Sequence, residues 1–86
     1  MYSIVFTVSA EKELIKLKKA DILKILQKIE SLAQNPKPTN SIKIKGKLNL
    51  WRIRSGNYRI IYSLIEDELI IEVIRIRHRK DVYRNL

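Results

Sequence analysis

LWRIRSGNYRIIYSLIEDELIIEVIRIR, residues 50–77, decides the fold. Within it LWRIR alternates apolar and basic residues, SGN offers a three-residue turn with glycine, and YRIIYSLI returns. That pattern is a β-hairpin. EDE makes a second turn, and LIIEVIRIR, residues 69–77, is the longest strand-like run, expected near the sheet centre. Strict alternation puts Leu69, Ile71, Val73, Arg75 and Arg77 on one face and Ile70, Glu72, Ile74 and Ile76 on the other. Neither face is cleanly polar, so something beyond the helices is expected to cover the second one: the C-terminal tail or a partner protein.

Outward from this stretch, YSIVFTV (residues 2–8) is β-branched and aromatic and reads as a first strand. Ser9 is the expected N-cap, with Lys12 rather than Glu at the third helical position, which is half a capping box. A short helix over residues 10–18 carries Leu14 and Leu17 on one face. Residues 20–34 repeat Ile22, Ile25, Leu26, Ile29, Leu32 and Ala33 at helical spacing with lysines opposite, predicting a second amphipathic helix. NPKPTN ends it, because each proline removes a donor and biases its predecessor toward extended geometry. SIKIKGKLN alternates Ile and Lys around Gly46 and reads as an exposed basic loop or a weak edge strand. The order β-α-α-β-β-β predicts an α+β domain over residues 1–86, a small, mostly antiparallel sheet with a helical hairpin on one face.

With 86 residues the chain is expected to form one thin-cored domain, and with no cysteine it has neither disulfides nor thiolate chemistry. The first residues lack a basic segment followed by a long apolar one, and no run approaches the ~20 apolar residues of a membrane span. A soluble, cytoplasmic protein is the expectation.

Charge says more. Eighteen basic residues against nine acidic give +9, unevenly placed. Residues 41–62 hold Lys43, Lys45, Lys47, Arg52, Arg54 and Arg59 without an acid, and residues 75–84 hold Arg75, Arg77, Arg79, Lys80 and Arg84 against Asp81 alone. Every arginine follows residue 51, while the balanced first 34 residues use only lysine. Arginine's planar fork suits bidentate phosphate contacts and stacking on bases. A set of cations this dense repels itself unless an anion is expected, so nucleic acid is the leading partner. Taken singly, each of these arginines also fits a solvated sheet edge guarded against aggregation.

Two side chains near the basic patch can carry protons. Tyr83 offers a phenol whose ionised form neighbouring cations would stabilise, or it packs its ring on the sheet. His78 is a lone histidine at a strand end, a proton carrier or a structural hydrogen-bonder. Trp51 reads as core, and so do Tyr58 and Tyr62, with stacking on bases as the alternative for the two tyrosines. One histidine and scattered acids make no metal site.

LWRIRSGNYRIIY followed by IRIRHRKDVYR resembles the RelE-type toxins of the RelE/ParE superfamily, and FTVSAEKELIKL with its second helix ending in NP extends the likeness along the chain. The resemblance implies a metal-independent, cofactor-free endoribonuclease that cuts messenger RNA in the ribosomal A site. The ribose 2′-hydroxyl attacks the adjacent phosphate, leaving a 2′,3′-cyclic phosphate and a 5′-hydroxyl. The implied partners are the 70S ribosome with its 16S rRNA and a RelB-like antitoxin in a heteromeric complex.

By the same resemblance the catalytic set is Arg52, Arg59, Arg79 and Tyr83. Arg52 stands where the best-known members use lysine. Ungapped alignment puts Leu50 at the second lysine's place, whereas a shifted turn lets Arg54 serve; otherwise Arg54 or Lys47 must supply the missing cation. His78 stands where many relatives have a histidine and ranks below Tyr83. Lys43, Lys45, Arg75, Arg77, Lys80 and Arg84 are left to hold RNA or the ribosome. Two other readings remain: a ParE-like gyrase poison on the same fold, and a catalytically degenerate toxin that serves as half of a repressor complex.

Overall fold

In the computed structural model, which describes residues 1–80, the hairpin forms by strand β3, Leu50–Ser55, and strand β4, Tyr58–Ile65. Ser55 still pairs with Tyr58, so the turn is two residues, Gly56 and Asn57, rather than the three expected. Gly56 takes φ +60° while Asn57 does not enter positive φ. That is the pattern of a type II′ turn, whose twist matches that of the strands it joins. A short 3-10 turn over Glu66–Glu68 leads through Leu69, at φ +54°, into β5, Ile70–His78.

β5 pairs antiparallel with β4 on one side and parallel with β1, Ser3–Phe6, on the other. A two-residue strand β2, Ile42–Lys43, adds to β3, settling the basic SIKIKGKLN stretch as a weak edge strand followed by a loop. The sheet order is β1-β5-β4-β3-β2, so β4 is the middle strand and β5 lies next to it, inside the sheet. Three of the four pairings are antiparallel.

Helix α1, Val8–Ile15, starts two residues earlier than the sequence suggests. The first strand stops at Phe6, and Thr7, not Ser9, is the cap. Its hydroxyl accepts from Ala10 N (3.1 Å) and donates to Ile74 O (2.9 Å). One side chain thus satisfies an orphan helix donor and fastens the helix to β5. Helix α2, Lys19–Gln34, buries Ile25, Ile29 and Leu32 and ends at Asn35 as the prolines require. No helix among the described residues is long and apolar enough to cross a membrane.

Both helices cover one sheet face. Ala10, Leu14, Ile25, Ile29 and Leu32 meet Ile53, Ile60, Tyr62, Leu64, Ile71, Val73 and Ile76. Full burial of an isoleucine or leucine contributes about 1.5–3 kcal/mol before entropy is charged against it. Tyr62 is wholly buried, and its hydroxyl donates to Pro36 O at 2.8 Å, tying the proline loop to the sheet. Burial raises the Tyr62 phenol above its ordinary pKa, an effect the Ser41 side chain partly offsets.

The alternation expected along the last strand fails at one residue. Ile61 stands opposite Arg75, but Tyr62 stands opposite Val73, so Ile74 has no partner. This is a β-bulge, and it moves every later side chain to the other face. Ile71 and Val73 enter the core, Ile76 re-enters it, and Arg75 and Arg77 leave the face assigned to them with Val73. The bulged residue's carbonyl is the one that accepts the Thr7 hydroxyl.

Candidate nucleic-acid interface

Directly opposed residues in a ladder share a face, with Cβ atoms about 4.5–5.5 Å apart. The register therefore lines up Arg54 on β3, Arg59 on β4 and Arg77 on β5 as one row across the face opposite α1 and α2. The next row is Arg52, Ile61 and Arg75. Arg52 and Arg54 share their face because they are two apart on a regular strand; Arg75 and Arg77 join them only through the bulge. Like charges placed opposite one another destabilise a sheet, so this surface is built at a cost that a bound anion would relieve.

Arg59, half-buried, is the middle member of its row. Its Nη1 is buried and has no hydrogen-bond partner among the described residues, an arrangement a folded chain rarely leaves unanswered. It lines a shallow hollow of about 480 Å³ with Arg52, Arg54, Gly56, Asn40 and Ile42. Arg54 is steadied by its Nε donating to Gly56 O at 2.9 Å, so the turn that closes the hairpin also orients a cation. Ile42, half-exposed and opposite Arg52, offers an apolar surface beside the cations.

Leu50 and Arg54 stand differently toward Arg59. Arg54 is Arg59's direct cross-strand neighbour, whereas Leu50 lies opposite Ser63, two rows away. Arg77, which the sequence ranks only as a general RNA contact, is Arg59's neighbour on the other side.

Glu13 of α1 escaped the sequence reading. Its Oε1 accepts from Ile76 N (2.9 Å), and its Oε2 lies 2.8 Å from Arg77 Nε and 3.5 Å from Arg75 Nη1. The Arg77 contact is a close ion pair rather than an aligned hydrogen bond. A helical acid more than sixty residues away carries no local signal of that pairing.

The remaining candidates are scattered. Arg79 is exposed just past β5, and its backbone N–H donates to Asn57 O (2.7 Å), holding the strand end to the hairpin turn. His78 stands opposite Tyr58, its ring edge-on at 5.4 Å, on the same face as the core-packed Tyr58 and so away from the arginine rows. Its Nδ1 accepts from Lys80 N (3.3 Å). Lys43 lies opposite Trp51, and Lys45 and Lys47 sit exposed on the loop that follows. Tyr83 and Arg84 lie outside the described residues.

Residues 4–83 match the profile of a family described as the ParE toxin of type II toxin-antitoxin system, parDE. The chain belongs to the RelE/ParE family of type II toxins. Among curated relatives, a putative RelE-like toxin protein of Escherichia coli is 34% identical over 86 residues, covering 95% of this chain and 90% of that one. Putative toxin RelE1 of Methanocaldococcus jannaschii is 31% identical over 77 residues, covering 86% of each. The solved archaeal RelE–RelB complex from Pyrococcus horikoshii superposes with a TM-score of 0.77 at 28% identity, over 91% of this toxin and 94% of that chain.

Proposed function

We propose that this toxin is a ribosome-dependent endoribonuclease that cuts messenger RNA in the A site and is neutralised by a RelB-like antitoxin. The observation that carries the reading is the Arg54–Arg59–Arg77 row with an Arg59 Nη1 that no described residue answers. Such a row matches a phosphodiester in transition, where negative charge grows on the non-bridging oxygens and preorganised donors count most. The ribose 2′-oxygen forms its bond to phosphorus as the bond to the 5′-oxygen breaks. The 2′-hydroxyl proton passes to a base and a proton reaches the leaving 5′-oxygen, giving a cyclic phosphate and a 5′-hydroxyl. Tyr83, with Arg79 near it in sequence, is the proposed proton carrier.

Among the described residues the hollow at the arginines is open to solvent and does not enclose a flexible RNA in an in-line geometry. A ribosome-held codon arrives already oriented, supplying the proximity this surface lacks. The antitoxin partner is supported by similarity to RelE chains solved together with RelB from Pyrococcus horikoshii and Methanococcus jannaschii.

A second reading, gyrase poisoning, is favoured by the parDE description of the matching family profile. Primer extension on a message incubated with the protein, with and without 70S ribosomes carrying an empty A site, separates the two. Cuts in frame at the A-site codon, seen only with ribosomes and lost in Arg59→Ala, support the nuclease. An intact message in both lanes, with gyrase supercoiling inhibited, supports the second reading instead.

A further inference from the structure

Where β1 turns away at Thr7, β5 loses its edge partner. Thr7 N donates to Val73 O, the Thr7 hydroxyl serves Ile74 O, and the next edge donor, Ile76 N, is met by Glu13 Oε1. One carboxylate oxygen thus replaces the missing strand. That task needs only an acceptor, which a glutamine amide would supply equally well. The charge is used by the other oxygen, 2.8 Å from Arg77 Nε.

Arg77 faces Arg59 across the ladder, and two guanidinium groups so placed push each other apart. A long side chain with no tether would swing away toward solvent. Glu13 meets Arg77 at the nitrogen nearest its stem and so leaves the outer edge of the fork, Nη1 and Nη2, outside that ion pair. The Arg77 side chain is only 15% exposed, which limits the directions it can take.

We infer that Glu13 is a positioning residue: it holds the Arg77 guanidinium beside Arg59 so that both forks meet one phosphate. Glu13 itself touches no substrate. The inference rests on the phosphodiester reading of the arginine row.

The test is Glu13→Gln in the full chain, read three ways. The Arg77 Nε–Hε signal, resolved in the wild type by proton–nitrogen NMR, should collapse toward the averaged arginine position. Single-turnover cleavage at saturating ribosomes should fall at least about tenfold, the loss of one oriented contact. Ribosome affinity should hold or tighten, since a negative charge has left an anion surface, and the thermal midpoint should hold because the amide still accepts from Ile76 N. An unmoved Arg77 signal, or an unchanged cleavage rate, overturns the inference. A joint fall of stability, binding and rate would make Glu13 a strand clasp and overturn it too. In an Arg77→Lys background Glu13→Gln should add little, and full additivity would show that Glu13 does not act through Arg77. If the variant fails to fold, the wild type still decides: the resolved Arg77 Hε proton must show a nuclear Overhauser contact to the Glu13 side chain, and its absence overturns the inference. If the wild-type protein cuts nothing, the nuclease reading falls by itself, and the Arg77 signal alone judges Glu13.

Discussion

Arg59 and Arg77 stand directly opposite each other on neighbouring antiparallel strands, with Arg54 opposite Arg59 on the other side. Three like charges in one row work against the sheet that carries them. Proteins keep such arrangements where function uses the unbalanced charge.

Replacing Arg59 should therefore separate activity from stability. Arg59→Ala removes a buried donor that has no partner among the described residues and relieves repulsion from both neighbours. We expect cleavage to fall by about 10²–10³, as when one preorganised donor to a developing charge is lost. Unfolding in urea should shift little or move toward higher denaturant. A midpoint well below that of the wild type would mean Arg59 is held by core ion pairs instead.

Thr7→Val keeps the volume of the side chain but removes the hydroxyl that serves both Ala10 N and the bulged Ile74 O. A lost cap costs about 0.5–2 kcal/mol. Hydrogen exchange at Arg75–Arg77 should accelerate, and cleavage should weaken as the bulge that sets their face loosens. Unchanged exchange there would show that the bulge is held by packing alone.

Tyr62 gives the protein an alkaline limit. Its folded phenol has a raised pKa because burial disfavours the phenolate. The unfolded tyrosine titrates near ~10. The contribution is complete below that value and is lost as pH rises from it toward the folded pKa, because only the unfolded chain ionises readily there. Tyr62→Phe gives up the bond to Pro36 O, a loss of about 0.5–1.5 kcal/mol at neutral pH. It should also lose the tyrosine share of the alkaline decline. Denaturant titrations of both proteins from neutral to alkaline pH measure the difference, and parallel curves would refute the assignment.

Ribosome binding should weaken steeply with salt. For a single strand, each neutralised phosphate contributes about 0.7 to the slope of log affinity against log salt. Arg52→Gln should flatten the slope by roughly that amount if Arg52 contacts a phosphate. An identical slope would place Arg52 outside the contact.

Tyr83→Phe should slow cleavage while leaving ribosome binding intact. An unchanged single-turnover rate would exclude the phenol as the proton carrier and turn attention to His78, despite its position on the core face.

The sequence by itself determined the elements whose cause is local. The hairpin is written in its alternation and in Gly56, α2 in its 3.6-residue repeat, the end of α2 in two prolines, and the taste for phosphate in arginines crowded after residue 51. Tertiary structure decided the rest: the parallel seat of β1 against β5, the bulge at Ile74, the row that joins Arg54, Arg59 and Arg77, and the reach of Glu13 across the sheet edge. Period-two alternation carries no mark for a skipped residue. At the bulge it is Thr7, far away in the chain, whose hydroxyl donates to the Ile74 carbonyl. Residue types are local facts, but which of them face one another depends on register, and register is set by contacts between distant parts of the chain.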